Sequence, residues 1–206
     1  MFSSLDEKRD FIINTLENLY PNPKIPLDHK NTFTFLVAVM LSAQSTDKKV
    51  NEITPALFAK ADSAKTMSLL KVEEIKKLIR QIGLAPTKSK NIKKMSQILV
   101  NEYNGKVPNS LDKLKALPGV GQKTASVIIS QIFNKPAFPV DTHIHRLAYR
   151  WKLSSGKNVV QTEKDLKTIF PVDLWNKLHL QIIFFGREYC KSKKTKCNCI
   201  ICSKII

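Results

Sequence analysis

A tight turn of proline and glycine, followed at once by an apolar helical pattern, constrains this chain more than any other feature. Pro118 stops one helical run, and Gly119 and Gly121 permit positive φ and close approach of another group to the backbone. The apolar spacing over 125–132 then predicts a second helix. Because the first N–H groups of a helix lack intrahelical partners and meet the positive end of its dipole, such a turn favours a phosphate oxygen. A glycine-rich connection with no ligand remains the alternative for the turn alone.

Two residues of opposite charge follow this turn. Lys123 lies in the first turn of the second helix, where a cation is disfavoured and a neutral, nucleophilic amine is therefore favoured. Asp141 lies 18 residues later, where another amphipathic helical pattern begins. A carboxylate that caps a helix is fixed in space, as a group that assists proton transfer must be. A solvated lysine and a simple N-cap are the alternative interpretations of these two residues.

The charge of the chain favours a polyanionic partner. Thirty-four Lys and Arg residues stand against 17 Asp and Glu residues, which gives a formal net charge of +17. Sequence-independent phosphate contacts by such an excess make binding sensitive to salt. The apolar runs over 33–41 and 178–185 are too short to span a bilayer, and the N-terminal residues lack the apolar core of a signal peptide. We therefore expect a cytoplasmic protein without membrane segments.

Helical periodicity recurs along the chain, and no stretch shows sustained alternation of apolar and polar residues. The patterns predict a helix capped by Asp47 and bent or interrupted at Pro55. They predict another that ends with Gly83 at its C-terminus. Thr162 and Asp165 form a loose capping box ahead of a further apolar run. The fold class that follows is all-α.

Four segments of this chain resemble bacterial endonuclease III, a DNA glycosylase/AP lyase of the helix–hairpin–helix superfamily. They are LPGVGQKTA, VDTHIHR, the stretch VAVMLSAQSTDKKVN at Val37–Asn51, and the cysteine-rich tail. The similarity covers nearly the whole chain in the right order. It implies a helical barrel domain with the helix–hairpin–helix over 24–135. It also implies a second helical domain that combines 1–23 with 136–206 and carries a [4Fe–4S] loop.

The resemblance implies base excision repair of oxidised pyrimidines by a monomer acting on duplex DNA that contains damaged bases or abasic sites, in association with the nucleoid. Lys123 would attack C1′, displace the base and form a Schiff base, and Asp141 would assist. β-Elimination would then cleave the strand. Gln44, helped by Leu84, would fill the space left by the flipped nucleotide. The remaining candidate DNA contacts are Gly119, Val120, Gly121, Thr124, His143, Lys191, Lys193 and Lys194.

Two other functions remain compatible with the same residues. A non-catalytic helix–hairpin–helix protein would use the turn for phosphate and Lys123 only as a cation. A monofunctional glycosylase would release a base without forming an imine. Lys123 together with Asp141 and Gln44 argues against the first, and Lys123 itself argues against the second.

All four cysteines lie in the last 17 residues, at Cys190, Cys197, Cys199 and Cys202. Clustered cysteines in a basic protein with no sign of export are typical of one metal or cluster site. The spacing C-x6-C-x-C-x2-C shares only its first interval with the family pattern C-x6-C-x2-C-x5-C. We expect a structural [4Fe–4S] cluster, with a zinc site or a lost site as alternatives.

Overall fold

The computed structural model describes residues 2–192 and 197–205, and within these ranges the chain forms helices and no strand. The all-α fold class is confirmed. No helix among these residues combines the length and apolar character needed to cross a membrane. The α-helices are α1 (Leu5–Leu19), α2 (Thr32–Ser42), α3 (Asp47–Lys60), α4 (Ala64–Leu69), α5 (Val72–Leu78), α6 (Ala85–Tyr103), α7 (Leu111–Lys115), α8 (Gln122–Gln131), α9 (Thr142–Arg150), α10 (Val159–Ile169), α11 (Trp175–Glu188) and α12 (Cys202–Ile205), and a 3₁₀ helix spans Val172–Leu174.

The chain folds into two compact units. We call Ile25–Phe133 the central unit; it holds α2 to α8. We call Met1–Lys24 with Asn134–Ile206 the terminal unit; it holds α1 and α9 to α12.

The central unit is built around α2, whose residues 33–41 are all buried. A helix that is apolar on every side needs neighbours on every side. The neighbours are α3, α6 and α8, and α6 also packs against α4 and α5. The C-terminal end of α2 and the first turns of α6 therefore meet inside one unit.

The terminal unit packs α1 and α9 against α11, with α10 against α9. Its core contains large aromatic side chains, among them Phe138, Trp151 and Phe185, and the last two meet edge to face. The buried cysteines Cys190, Cys197 and Cys202 belong to the same core. The cysteine-rich segment is therefore part of the packing of this unit.

The start of α3 differs by one residue from the sequence prediction. Thr46, in extended backbone, is the N-cap and its hydroxyl accepts a hydrogen bond from Lys49 N at 3.2 Å, whereas Asp47 is the first helical residue. Both residue types cap helices, so sequence alone does not choose between neighbours. The helix also continues through Pro55 to Lys60, where the pattern predicted a bend or break.

Two further predicted helix ends are wrong. α5 ends at Leu78, and Gly83 lies beyond it at a point where an added Cβ would be 3.1 Å from Gln44 O. Glycine there permits two chain segments to approach. α10 begins at Val159 with Asn158 as its cap, and the Thr162 hydroxyl hydrogen-bonds the Asn158 carbonyl instead of starting the helix.

Candidate functional site

The turn between α7 and α8 is a compact hairpin in the central unit. Gly119 has φ +77, and a Cβ there would lie 2.9 Å from atoms of Asn91 and Met40. Val120 is buried, and its N–H donates to Leu117 O at 3.1 Å. Only glycine meets both demands at position 119, the left-handed conformation and the close approach.

Gly121 has a different conformation from Gly119. Its backbone is extended, with φ −88, so it does not use the positive φ that glycine permits. A Cβ at Gly121 would meet no atom within 4 Å. Because the helix cap here is extended backbone, any residue type fits it locally. The expected close approach by a group from outside the chain stays a prediction.

The N-terminus of α8 carries no side-chain cap in the described part of the chain. Gly121 is the N-cap, and the Ala125 N–H is the first to bond back to it, at 3.0 Å. Lys123, the second residue of the helix, is exposed, and Thr124 beside it is half-buried. A set of outward N–H donors therefore stands next to an accessible primary amine.

Asp141 is the N-cap of α9, as the sequence predicted. Its Oδ1 accepts a hydrogen bond from Ile144 N at 2.8 Å, and the residue is half-buried in the terminal unit. One carboxylate oxygen is thus used to start the helix. The bond fixes the direction in which the group points.

Two arginines of α9 connect this helix to the cysteine-rich segment, and the sequence pattern did not single them out. Arg146 Nη2 donates to the Gly186 carbonyl at 3.1 Å and to the Cys190 carbonyl at 2.7 Å. Burial, together with the charge of Arg150, lowers the pKa of Arg146. Arg150 Nη1 donates to Cys190 Sγ at 3.2 Å and to the Lys191 carbonyl at 3.0 Å. Their partners are more than 35 residues away along the chain, so no local pattern reveals them.

The four cysteine thiols converge. Their Sγ atoms all lie within 4.8 Å of one another, with Cys190 Sγ 3.5 Å from Cys197 Sγ and 3.8 Å from Cys202 Sγ. A bend at Cys199 lets its Sγ accept the Cys202 N–H at 3.4 Å, which brings the unusual C-x-C pair into the set. Hydrogen bonds from Cys199 and Cys202, followed by that from Arg150, lower the pKa of Cys190.

This donor set fits an iron–sulfur cluster. Four thiolates from one short segment are the usual ligands of a [4Fe–4S] centre, and the described residues bring no carboxylate or imidazole into the set. The Arg150 contact also supplies the kind of hydrogen bond to a ligating sulfur that stabilises its negative charge. The expectation of a [4Fe–4S] site at these four cysteines is confirmed.

Gln44 and Leu84 lie on neighbouring turns of the central unit. Both are exposed, and both have positive φ, +57 and +61, although neither is glycine. Gly83 N donates to the Ser45 hydroxyl at 3.3 Å, which joins the two turns. Leu84 is the N-cap of α6 and is 54% exposed. Two strained residues with outward side chains thus stand together, an arrangement that often marks a binding function.

The other predicted contacts fall in varied settings. His143 is half-buried, and its Nδ1 lies 3.5 Å from Arg146 Nη2. Lys191 is exposed next to Cys190. Lys193 and Lys194 lie outside the described residues.

Comparison with known sequences gives a consistent result. Residues 37–172 match the profile of the HhH-GPD superfamily base excision DNA repair proteins. Endonuclease III of Bacillus subtilis (strain 168) is 39% identical over 189 residues, covering 91% of this chain and 86% of that protein. Endonuclease III of Escherichia coli (strain K12) is 40% identical over 195 residues, covering 94% and 92%.

Solved structures extend the likeness to three dimensions. A non-covalent endonuclease III–DNA complex superposes with a TM-score of 0.90 at 37% identity, over 98% of this chain and 94% of that one. A trapped endonuclease III–DNA covalent intermediate superposes with a TM-score of 0.89 at 36% identity, over 99% of both chains. A thermostable thymine-DNA glycosylase, at 24% identity and a TM-score of 0.83, shares the fold.

Proposed function

The chain belongs to the endonuclease III family of the HhH-GPD superfamily, and we propose that it excises oxidised pyrimidines from duplex DNA and cleaves the abasic site through an imine at Lys123. Membership makes it a base excision repair enzyme, a DNA glycosylase and AP lyase. Its action on oxidised pyrimidines, the imine intermediate and the roles of the site residues are proposals. We further propose that it works as a monomer.

The observation that carries the proposal is the uncapped start of α8 with an exposed amine in its first turn. Backbone N–H groups there can hold a DNA phosphate without any side-chain charge. Gly121 leaves open the space that such a phosphate needs. Lys123 would then lie beside the bound strand.

The reaction needs one nucleophile and one group that accepts and donates protons. The neutral amine of Lys123 forms a bond to C1′ while the bond from C1′ to the base breaks, and the base leaves with a proton. The bound nitrogen then loses one proton, and the bond from C1′ to O4′ breaks as O4′ takes up a proton, which opens the sugar ring and gives the protonated imine. Removal of a C2′ proton then expels the 3′ phosphate by β-elimination, and water hydrolyses the imine to restore the lysine. Asp141 would accept the amine proton and stabilise positive charge on the sugar.

Gln44 and Leu84 would contact the DNA duplex and would take no part in breaking the bond from C1′ to the base. A damaged base reaches an active site by leaving the stack, which costs a few kcal/mol. Side chains that fill the resulting gap offset that cost. The exposed, adjacent positions of the two residues support this role.

The cluster at the four cysteines would have a structural role and would stabilise the terminal unit. When bound, it cross-links the C-terminal segment to the core of the terminal unit through Cys190, Cys197 and Cys202. The proposed reaction transfers protons and breaks C–N and C–O bonds, so it requires no electron from the cluster.

Product analysis on a duplex with one oxidised thymine tests this function. The wild-type protein should release the base and cut the strand, and Lys123→Gln should do neither while still binding undamaged duplex. Base release without strand cleavage by the wild type would instead indicate a monofunctional glycosylase. Binding without either product would indicate a non-catalytic helix–hairpin–helix protein.

A further inference from the structure

Lys88 is a buried lysine in α6 that the proposed chemistry does not use. Its side chain is only 7% exposed, and burial lowers its pKa. A buried ammonium is costly unless hydrogen-bond acceptors surround it. Here the Nζ donates to the Leu41 carbonyl at 2.8 Å and to the Ala43 carbonyl.

Leu41 lies in the last turn of α2, and Ala43 is the residue that follows the helix. The last carbonyls of a helix have no intrahelical donors, and cations are favoured at that end. α2 has no basic residue in its own last turn, so α6 supplies the cation. Capping alone would explain the Leu41 contact. The Ala43 contact lies one residue past the helix and needs a separate explanation.

Residues 42–45 form a type II β-turn. Ala43 has φ −59 and ψ 119, Gln44 has φ +57, and Ser45 N donates to Ser42 O at 3.1 Å. This turn type requires positive φ at its third residue, where glycine is preferred. Gln44 occupies that position although it carries a side chain, so a contact from outside the turn must stabilise the type II conformation.

The Ala43 carbonyl distinguishes the two common turn types. Types I and II differ by a reversal of the peptide between the two central residues, which changes ψ of the first and φ of the second together. Turning the Ala43–Gln44 peptide over would give Gln44 an unstrained negative φ and reverse the Ala43 carbonyl. The Lys88 ammonium binds that carbonyl in its type II orientation.

We propose that Lys88 is a positioning residue that holds the Ala43–Gln44 peptide in the type II orientation and so presents Gln44 to the DNA. This inference rests on the proposed role of Gln44 at the flipped nucleotide. The backbone N–H of Lys88 makes the ordinary first hydrogen bond of α6, to the Leu84 carbonyl at 2.9 Å, and Lys88→Met leaves that bond in place. The side chain of Lys88 therefore joins the Ala43–Gln44 peptide to the first turn of α6.

Lys93 provides a matched control on the same helix. Its Nζ donates to the Ser68 carbonyl near the end of α4, still within the central unit. Both variants keep the aliphatic stem and remove one charge, but Lys88→Met removes two carbonyl contacts and Lys93→Met removes one. Only the first change touches the Gln44 turn, so a merely structural effect would appear in both variants.

The test is a double-mutant cycle on the single-turnover rate of excision from oxidised-pyrimidine duplex. Lys88→Met should slow excision about ten-fold, the effect of about 1.4 kcal/mol, with undamaged-duplex affinity unchanged. In the Gln44→Ala background the same change should have no further effect, because interacting residues are non-additive. Lys93→Met should retain the wild-type rate. Multiplicative effects of Lys88→Met and Gln44→Ala, or equal slowing by Lys93→Met, would overturn the inference.

A crystal structure of Lys88→Met gives a readout that does not depend on activity. We expect the Ala43–Gln44 peptide to be reversed, with negative φ at Gln44. A positive φ at Gln44 in that variant overturns the inference even if excision is slow. An inactive wild type would count against the proposed function, and the Gln44 backbone would still decide the role of Lys88.

Discussion

Asp141 combines two roles that one substitution can separate. Its Oδ1 caps α9 by accepting from Ile144 N, and we propose that its carboxylate also assists the reaction. Asparagine caps a helix about as well as aspartate but cannot accept a proton at neutral pH. Asp141→Asn should therefore keep the thermal unfolding temperature and lower the single-turnover excision rate roughly 10²-fold, the lower end for proton-transfer catalysis.

Asp141→Ala is the companion variant. It removes both the cap and the carboxylate, so it should lose about 1 kcal/mol of stability in addition to activity. Wild-type excision by Asp141→Asn would remove the carboxylate from the chemistry and leave only the cap.

At the level of single residues, what could be predicted depended on distance along the chain. The cap by Asp141 and the place of Lys123 in the first turn of α8 follow from neighbouring residues, and the sequence predicted both. The left-handed conformation of Gln44 depends on Lys88, which comes from another helix. No local propensity predicts such a contact, so the sequence marked Gln44 only by resemblance.

The hairpin between α7 and α8 contains two glycines with different structural demands. Gly119 has φ +77 and is crowded by Asn91 and Met40. Gly119→Ala should therefore cost about 1–3 kcal/mol in the free energy of unfolding, since alanine is strained there and has no room. Denaturant unfolding measures this, and an unchanged midpoint would show that the turn can relax.

Substitution of Gly121, unlike that of Gly119, should not reduce the stability of the protein. Serine is a good N-cap, and its hydroxyl would accept from the N–H of Lys123 or Thr124. Gly121→Ser should keep or raise stability yet weaken duplex binding, because the side chain competes with the phosphate for the same donors. The salt dependence of binding should fall by about one phosphate contact. Unaltered affinity and salt dependence would place the phosphate elsewhere.

At the level of elements, the sequence predicted helices more reliably than their ends. The apolar face of α8 and the all-α composition followed from periodicity alone. The starts of α3 and α10 were misplaced because several Thr, Asn and Asp residues near each end could cap it. The end of α5 was misplaced because Gly83 serves the contact with Gln44 rather than a helix terminus.

The terminal unit depends on its cysteine-rich segment, since Cys190, Cys197 and Cys202 lie in its core. Cys197→Ser should remove one of four cluster ligands and lower the unfolding temperature by about 5–10 °C, as expected for a loss of about 3 kcal/mol. Iron content and thermal unfolding are measured together, with exposed Ser203→Ala in the same segment as control. Full iron content with unchanged unfolding would contradict the ligand assignment.

For the whole molecule, composition and resemblance predicted the class of partner and the family. The compressed cysteine spacing did not decide between a [4Fe–4S] cluster, a zinc site and a lost site. The structure resolves that point because a bend at Cys199 brings a C-x-C pair into one set of thiols. Spacing alone could not predict this bend, which depends on the fold of the surrounding segment. The arginine contacts from α9 to Cys190 were beyond prediction for the same reason.

The central claim is that Lys123 forms an imine with DNA, and borohydride trapping tests it most directly. Wild-type protein, Lys123→Gln and Lys115→Gln are incubated with abasic-site duplex and borohydride; Lys115, in α7, is the charge-matched control. We predict a covalent protein–DNA adduct with wild type and Lys115→Gln and none with Lys123→Gln. An adduct with Lys123→Gln, or no adduct with the wild type, would contradict the account.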